Sequence, residues 1–324
     1  MNISMQQSNL AKFLYALLIL FYHICIWGYS CSSRFFTFIM GVAMFGFLLL
    51  SGYGLTVSYY NNKLFNFWEK KFIKIYFPAV IINLFAVIEL ICMQKIDMNR
   101  GDIFKEVFLL SQAPQINREL WFLRLLLVWY ILFYITYHYI KNTKIRISAW
   151  GGVTAVMLYM IPETYGMANI YGLSFSAGVF LAELGRKGID IEKIKKYIVV
   201  ISCVGSYIFI YHSDNSGMIC EIRINFFLYM IIINLILGCC AITLLIVCEK
   251  MLRTILVCNK YARTLGGMSL MIYYLQRPCI LDPMVWSTKI GFKIGWMLVG
   301  GALVIVISYV YTKLSQNYAN DRMY

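Results

Sequence analysis

Charge is scarce in this chain, and negative charge is scarcest. Only 14% of the 324 residues are Asp, Glu, Lys or Arg, with 15 acids against 29 bases. Soluble domains carry about 25% charged residues. With 61% hydrophobic residues and a mean hydropathy of +0.70, the composition excludes a soluble globular chain and predicts an integral membrane protein. A CxxC pair is also lacking. The ten cysteines sit mostly within apolar runs (Cys25, Cys92, Cys203, Cys239, Cys240, Cys248), as small buried hydrophobes do, so no metal site is expected. The first apolar run has no small-residue cleavage site behind it, which argues against a removable signal peptide. The halves show no self-similarity of the kind many repeat-built carriers carry. The chain stops soon after its last apolar run, so one transmembrane domain over residues 1–324 is expected, with no appended soluble domain.

What is present is a succession of apolar runs that predicts an all-α polytopic bundle of about ten transmembrane helices. They are read at Asn9–Gly28, at Phe38–Val57, from Tyr76-Phe77-Pro78 to about Met93, and at Leu120–Ile140. A fifth runs from Ile147 to Ile161, closed by Pro162, and a sixth from Ile170 to Leu184. A seventh ends near His212, and the last three are Asn225–Cys248, one beginning near Thr264, and Gly291–Thr312. Pro78 reads as a helix start, where its missing N–H costs nothing. The sixth run is rich in small residues, which close packing in lipid favours. A short amphipathic segment is expected around Ile103–Leu110. Of the 29 Lys and Arg, 19 fall on the segments at one side and 9 at the other, with Arg124 inside a span. The positive-inside bias therefore puts both termini in the cytoplasm and accounts for the +14 net charge without a nucleic-acid partner. The 17% aromatic content suits interfacial belts.

The first run carries two polar interruptions, Lys12 and His23. Eleven residues at about 100° each return His23 to within roughly 20° of Lys12, about 16 Å along the axis. A histidine at membrane depth marks a functional site by default. Plainer roles stay open. His23 can be a buried structural histidine, and Lys12 can snorkel to the interface. Lys70, Lys71 and Lys74 can be ordinary cytoplasmic bases, and Ser51-Gly52 a helix-packing point. Arg124, one turn into its span, either snorkels or pairs with Glu119 or Glu89. Arg277 and Asp282 read as a helix end, and His138 and His212 show no partner pattern.

In order, several of these pieces resemble the membrane-bound acyltransferase 3 family, which O-acylates cell-surface glycans and related acceptors. Lys12 and His23 have the spacing of that family's basic residue and histidine in helix one. Leu50-Ser51-Gly52-Tyr53 is similar to its Ser-Gly-aromatic ending of helix two. Lys71-Phe72-Ile73-Lys74-Ile75-Tyr76-Phe77-Pro78 resembles its basic pair before an Ile-aromatic-Pro turn. Leu120-Trp121-Phe122-Leu123 matches its fourth-helix opening, and Gly266-Gly267-Met268-Ser269 through Ile272-Tyr273 its late Gly-x-x-Ser run. The family usually has Arg at the positions of Lys12, Lys71 and Lys74, and a histidine where Gln276-Arg277-Pro278 stands here.

The resemblance implies an O-acyltransferase of the bacterial cytoplasmic membrane. It would use acyl-CoA, acetyl-CoA foremost, as donor substrate, with no permanently bound cofactor, and a hydroxyl of a surface or lipid-linked glycan as acceptor. His23 would act as base or transient acyl carrier, with Lys12 beside it. Lys12, Lys70, Lys71 and Lys74 would hold nucleotide phosphates. Ser51, Arg124 and Gln276 are the candidates for steadying the developing oxyanion. Two other functions fit the same features: a flippase-type exporter of lipid-linked polysaccharide, and an inactive partner in an envelope glycan synthesis complex.

Overall fold

The computed structural model describes residues 3–31, 33–95, 98–111, 116–160, 171–188, 195–212, 226–287 and 289–321. Among them there is no strand. Thirteen α-helices follow in order: α1 Met5–His23, α2 Arg34–Asn62, α3 Phe67–Lys71, α4 Phe77–Cys92, α5 Arg100–Val107, α6 Trp121–Tyr139, α7 Thr143–Met160, α8 Ser174–Arg186, α9 Lys195–His212, α10 Phe226–Thr254, α11 Leu256–Gln276, α12 Asp282–Trp286 and α13 Ile290–Asp321. Among the described residues, six helical stretches are long and apolar enough to cross a membrane: Met5–Gly28, Arg34–Asn62, Phe67–Cys92, Arg118–Tyr139, Met230–Thr254 and Ile290–Gln316. The other four expected spans correspond to α7, α8, α9 and α11, which are not among those six. The amphipathic segment lies at Arg100–Val107. Pro162, Ile170 and Asn225, expected at span ends, lie outside the described residues.

The chain divides into two compact units: Met1–Lys63 with Phe133–Ser269, and Leu64–Leu132 with Leu270–Tyr324. The first unit is organised around α2, 72% of whose apolar window is buried. Its closest neighbour is α8, and small residues make that approach possible. A Cβ at Gly52 would overlap the Phe175 carbonyl, and one at Gly178 would overlap the Leu49 carbonyl. The small-residue pattern expected of this run is thus used for helix contact, and the packing role open to Gly52 is realised. Helix α1 is fastened by its polar groups: Gln7 Nε2 donates to the Leu245 carbonyl at 2.8 Å, and the Tyr15 hydroxyl to that of Ala241 at 3.0 Å. An aromatic stack completes the core, with Phe133 on Tyr137 at 4.1 Å and Trp150 on Phe175 at 5.5 Å between centroids.

The same unit buries a complete ion pair. Glu183 on α8 and Arg146 on α7 are each only 2% exposed and meet at 3.0 Å. Tyr60 donates to both Glu183 oxygens at 2.8 and 3.0 Å, Tyr137 donates to Oε1 at 3.1 Å, and the Arg146 guanidinium lies 4.2 Å over the Tyr137 ring. Nothing in the sequence reading anticipated this pair. Its signal was an acid inside an apolar run, since burying a carboxylate in such surroundings is costly unless a cation answers it.

In the second unit, α3, a π-helical turn at Phe72–Tyr76 and α4 form one continuous stretch. The expected helix start at Tyr76-Phe77-Pro78 coincides with the start of α4 at Phe77, but the stretch before it is helical as well, back to Phe67, so Lys70, Lys71 and Lys74 ride on it rather than on a loop. Proline removes the hydrogen bond to the carbonyl four residues back and crowds it, so the helix widens in the preceding turn. The pattern recurs at Pro278, inside a second π-helical turn at Arg277–Leu281. The carbonyl that Pro278 releases, that of Tyr274, accepts from Asn117 Nδ2 at 3.4 Å. Pro283 likewise releases the Cys279 carbonyl, which accepts from Trp296 Nε1 at 2.9 Å. Freed backbone oxygens in an apolar bundle need such substitutes. Only 11% of the apolar window of α13 is buried, and the helix touches the unit along one seam: Gly300 lies against the Cys279 carbonyl, and Val304, Ser308 and Thr312 are buried at four-residue intervals.

Arg277 is also more than a helix end. Its Nε donates to Asp282 at 2.6 Å and its Nη1 to Glu119 at 3.2 Å, so the acid once offered to Arg124 is held by Arg277.

Removing one partner of the α7–α8 pair leaves a buried charge. Glu183→Gln is expected to lower unfolding free energy by about 3–5 kcal/mol, while Arg146→Leu with Glu183→Leu recovers most of it. Thermal and denaturant unfolding in detergent checks this. Equal losses for the single and double variants would show that the pair contributes nothing beyond packing.

Candidate active site

Helix α1 carries the two residues on which the functional reading turns. The helix is regular from Met5 to His23, so the 11-residue interval keeps Lys12 and His23 on one face as the spacing predicted. His23 is 5% exposed and lies edge-on to the Tyr22 ring at 5.1 Å. Immediately after it the helix widens into a π-helical turn, Ile24–Gly28. Lys12 is half-buried, and its ammonium forms no hydrogen bond or ion pair with a described residue. A half-buried cation without a counter-charge is unfavourable on its own, and an anionic ligand supplies what is missing.

The late Gly-x-x-Ser motif shapes this place. Gly266 on α11 lies against Asn9, one turn before Lys12, and a Cβ there would overlap Asn9 Cβ, Cγ and Cα. The Ser269 hydroxyl donates to the Gly266 carbonyl at 2.7 Å, so the motif's polar group is satisfied locally. Ser51 is likewise occupied: its hydroxyl donates to the Phe47 carbonyl at 2.8 Å, and it must leave that bond before it can steady an oxyanion. The first unit therefore holds Lys12, His23 and Ser51.

The second unit holds the other candidates. Lys70 donates to the Phe65 carbonyl at 3.2 Å, and the Lys71 ammonium rests 4.5 Å from the centre of the Tyr130 ring. Lys74 is exposed and makes no hydrogen bond or ion pair with a described residue, which leaves it the most available of the three. Arg124 donates to the Ser111 carbonyl. Gln276 is fully buried.

Three π-helical turns occur among the described residues, and each follows a candidate: Ile24–Gly28 follows His23, Phe72–Tyr76 follows Lys71 and contains Lys74, and Arg277–Leu281 follows Gln276. Such turns are under 1% of residues in ordinary proteins and collect at functional sites, because the extra residue re-aims the side chains beside it. Among the described residues no group of His, Cys, Asp or Glu is arranged to hold a metal ion.

Because Gly266 has no room for a side chain, Gly266→Ala is expected to destabilise the protein by about 1–3 kcal/mol through overpacking on Asn9. Asn9→Gly should restore part of the loss. Melting curves of the single and double variants check this, and a Gly266→Ala protein as stable as wild type would refute the tight approach.

The acyltransferase 3 family model, described as an acyltransferase domain, matches residues 5–313. No curated protein and no solved structure matches the chain.

Proposed function

The chain belongs to the acyltransferase 3 family and is a multi-pass membrane acyltransferase, and from that premise we propose that it moves an acyl group, acetyl foremost, from coenzyme A to a hydroxyl of a surface or lipid-linked glycan. The observation that carries the reading is the α1 arrangement: a buried imidazole on the same face as a half-buried ammonium that has no counter-charge among the described residues.

In this reading about ten helices cross the bacterial cytoplasmic membrane with both termini inside, as the loop charges indicate. Lys12 answers a phosphate of the donor, which is cytoplasmic and polyanionic. Lysine offers a point charge there rather than the bidentate fork that the family's usual arginine presents. Lys74, the least committed of the second unit's candidates, is assigned the same kind of contact, and Lys70 and Lys71 support it once they leave the Phe65 carbonyl and the Tyr130 ring. The pantetheine arm is slim enough to follow a helix face inward toward His23. The imidazole takes the acceptor hydroxyl's proton as its oxygen attacks the thioester carbonyl. When the carbon–sulfur bond breaks, the departing thiolate receives that proton, so the imidazole is restored. General-base help of this kind contributes typically 10²–10⁴-fold. Transfer through an acyl-imidazole is the alternative order of the same steps. Of the oxyanion candidates, Arg124 and Gln276 carry N–H groups suited to the task.

Purified protein given labelled acetyl-CoA and membranes bearing candidate glycans tests the proposal. Ester formation is expected for wild type and a loss of at least 10²-fold for His23→Ala. Transfer that persists undiminished in His23→Ala would remove the histidine from the chemistry. No transfer by wild type, with glycan accumulating inside cells that lack the protein, would favour export.

The lysines have a separate readout. Lys12→Gln and Lys74→Gln are each expected to raise the acyl-CoA KM about tenfold, corresponding to ~1.4 kcal/mol, with a smaller change in the acceptor KM. Equal effects on both substrates would assign these lysines to helix orientation instead.

A further inference from the structure

Two cysteines at the far end of α1 take no part in the reaction outlined above. Cys25 lies within the π-helical turn that follows His23 and is partly buried, while Cys31, six residues on, is exposed. Both carry free thiols in this structure. The loop-charge reading puts this end of α1 outside. Trp27 and Tyr29, between the two cysteines, are exposed, as aromatic residues at a membrane interface are.

The backbone brings the pair together. The Tyr29 N–H donates to the Ile24 carbonyl at 3.2 Å, and Ser30 then takes the left-handed conformation at φ 55°. That reversal returns Cys31 to the helix end, where its N–H donates to the Cys25 carbonyl at 2.8 Å. This is the closure that a glycine usually makes, with one more residue inside it because the turn is π-helical. In such closures the side chains on the two bonded positions meet. A backbone hydrogen bond also holds two Cα atoms within the roughly 4.4–6.8 Å that a disulfide spans. The two thiols act on each other electrostatically, so they share one neighbourhood. Serine lacks glycine's freedom at positive φ, so the reversal is held against the residue's own preference. A covalent tie between the residues on either side of it would hold it in place.

The geometry points to Cys25 and Cys31 as a redox pair whose disulfide, formed on the outer face, locks the turn directly behind His23. The step is a thiol–disulfide exchange with a disulfide-bearing oxidant of that compartment. The exposed Cys31 sulfur, as thiolate, attacks one sulfur of the oxidant's disulfide. The other sulfur departs and takes up the proton that Cys31 lost. The Cys25 sulfur then attacks Cys31, and its proton goes to the second departing sulfur. The protein gives up two electrons and two protons, and the oxidant's disulfide becomes two thiols. Disulfides persist in oxidising compartments of this kind. The link to acyl transfer rests on the reaction proposed above, and the disulfide itself rests on the α1 geometry.

Full-length protein in nanodiscs is treated with oxidised glutathione or with a phosphine reductant, freed of reagent, alkylated and digested with trypsin. The tryptic peptide Phe13–Arg34 holds both cysteines and no other. It is expected unalkylated and lighter by two hydrogens after oxidation, and doubly alkylated after reduction. Oxidation is expected to raise the melting temperature by roughly 2–5 °C, a gain absent from Cys31→Ser. In the transfer assay, reduction is expected to lower kcat about tenfold with the acyl-CoA KM unchanged, because His23 loses its aim. Cys25→Ser and Cys31→Ser should match the reduced wild type and ignore the reductant. A peptide that stays alkylated after oxidation, or that carries glutathione on a single cysteine, would overturn the pair. An oxidised peptide in a protein whose melting temperature and kcat match those of the reduced form would overturn the lock. A disulfide that forms and raises the melting temperature in a protein transferring no acyl group would sink the proposed reaction and leave the pair standing.

Discussion

Every backbone N–H and C=O that leaves a helix inside an apolar bundle has to find another partner, because no water is there to take it. Much of the second unit follows from that constraint. Prolines at 278 and 283 release two carbonyls, and the protein answers with Asn117 and Trp296. The first of these answers turns Asn117 so that its oxygen points away from the Tyr274 carbonyl. The second ties α13 to the π-helical turn. A local covalent fact, the imino nitrogen of proline, thus propagates to tertiary contacts.

The first unit meets the cost of burial by a different route. Glycines let α2 and α8 approach until side chain meets backbone, and a charge pair wrapped in tyrosines joins α7 to α8 and α2. Buried ion pairs are costly to assemble and costlier to break singly, so they specify a geometry more than they stabilise it. Here that geometry surrounds the helix on which α1 leans: Tyr15 of α1 fills the space over Gly46 of α2. Lys12 and His23 are therefore presented by a helix whose footing is fixed.

The helices and the motif residues on them were legible from composition, run length and spacing. Lys12 and His23 fall on one regular helix as their interval required, and the small residues of the sixth run make the contact expected of them. What sequence patterns could not supply were the pairings made across long separations. Glu119 goes to Arg277, 158 residues away, and Glu183 to Arg146, because partner choice depends on which helix ends meet. The π-helical turns were equally hidden. A proline marks two of them, but Ile24–Gly28 has none, and a one-residue widening leaves apolar periodicity almost unchanged. Continuity through Lys70 to Lys74 was missed for the same reason: a basic stretch before a proline looks like a loop when the widening that accommodates the proline is unseen.

Helix α13 shows how little of a span needs to be specified. Its inward contacts run along Trp296, Gly300, Val304, Ser308 and Thr312, while Leu298, Val299, Leu303, Ile305 and Val306 face outward. These positions make little contact within the protein, so any aliphatic residue serves there and drift among them is nearly neutral. Hydrophobic thickness can consequently be retuned on this helix, for a different lipid composition or growth temperature, without disturbing a single residue of the chemistry.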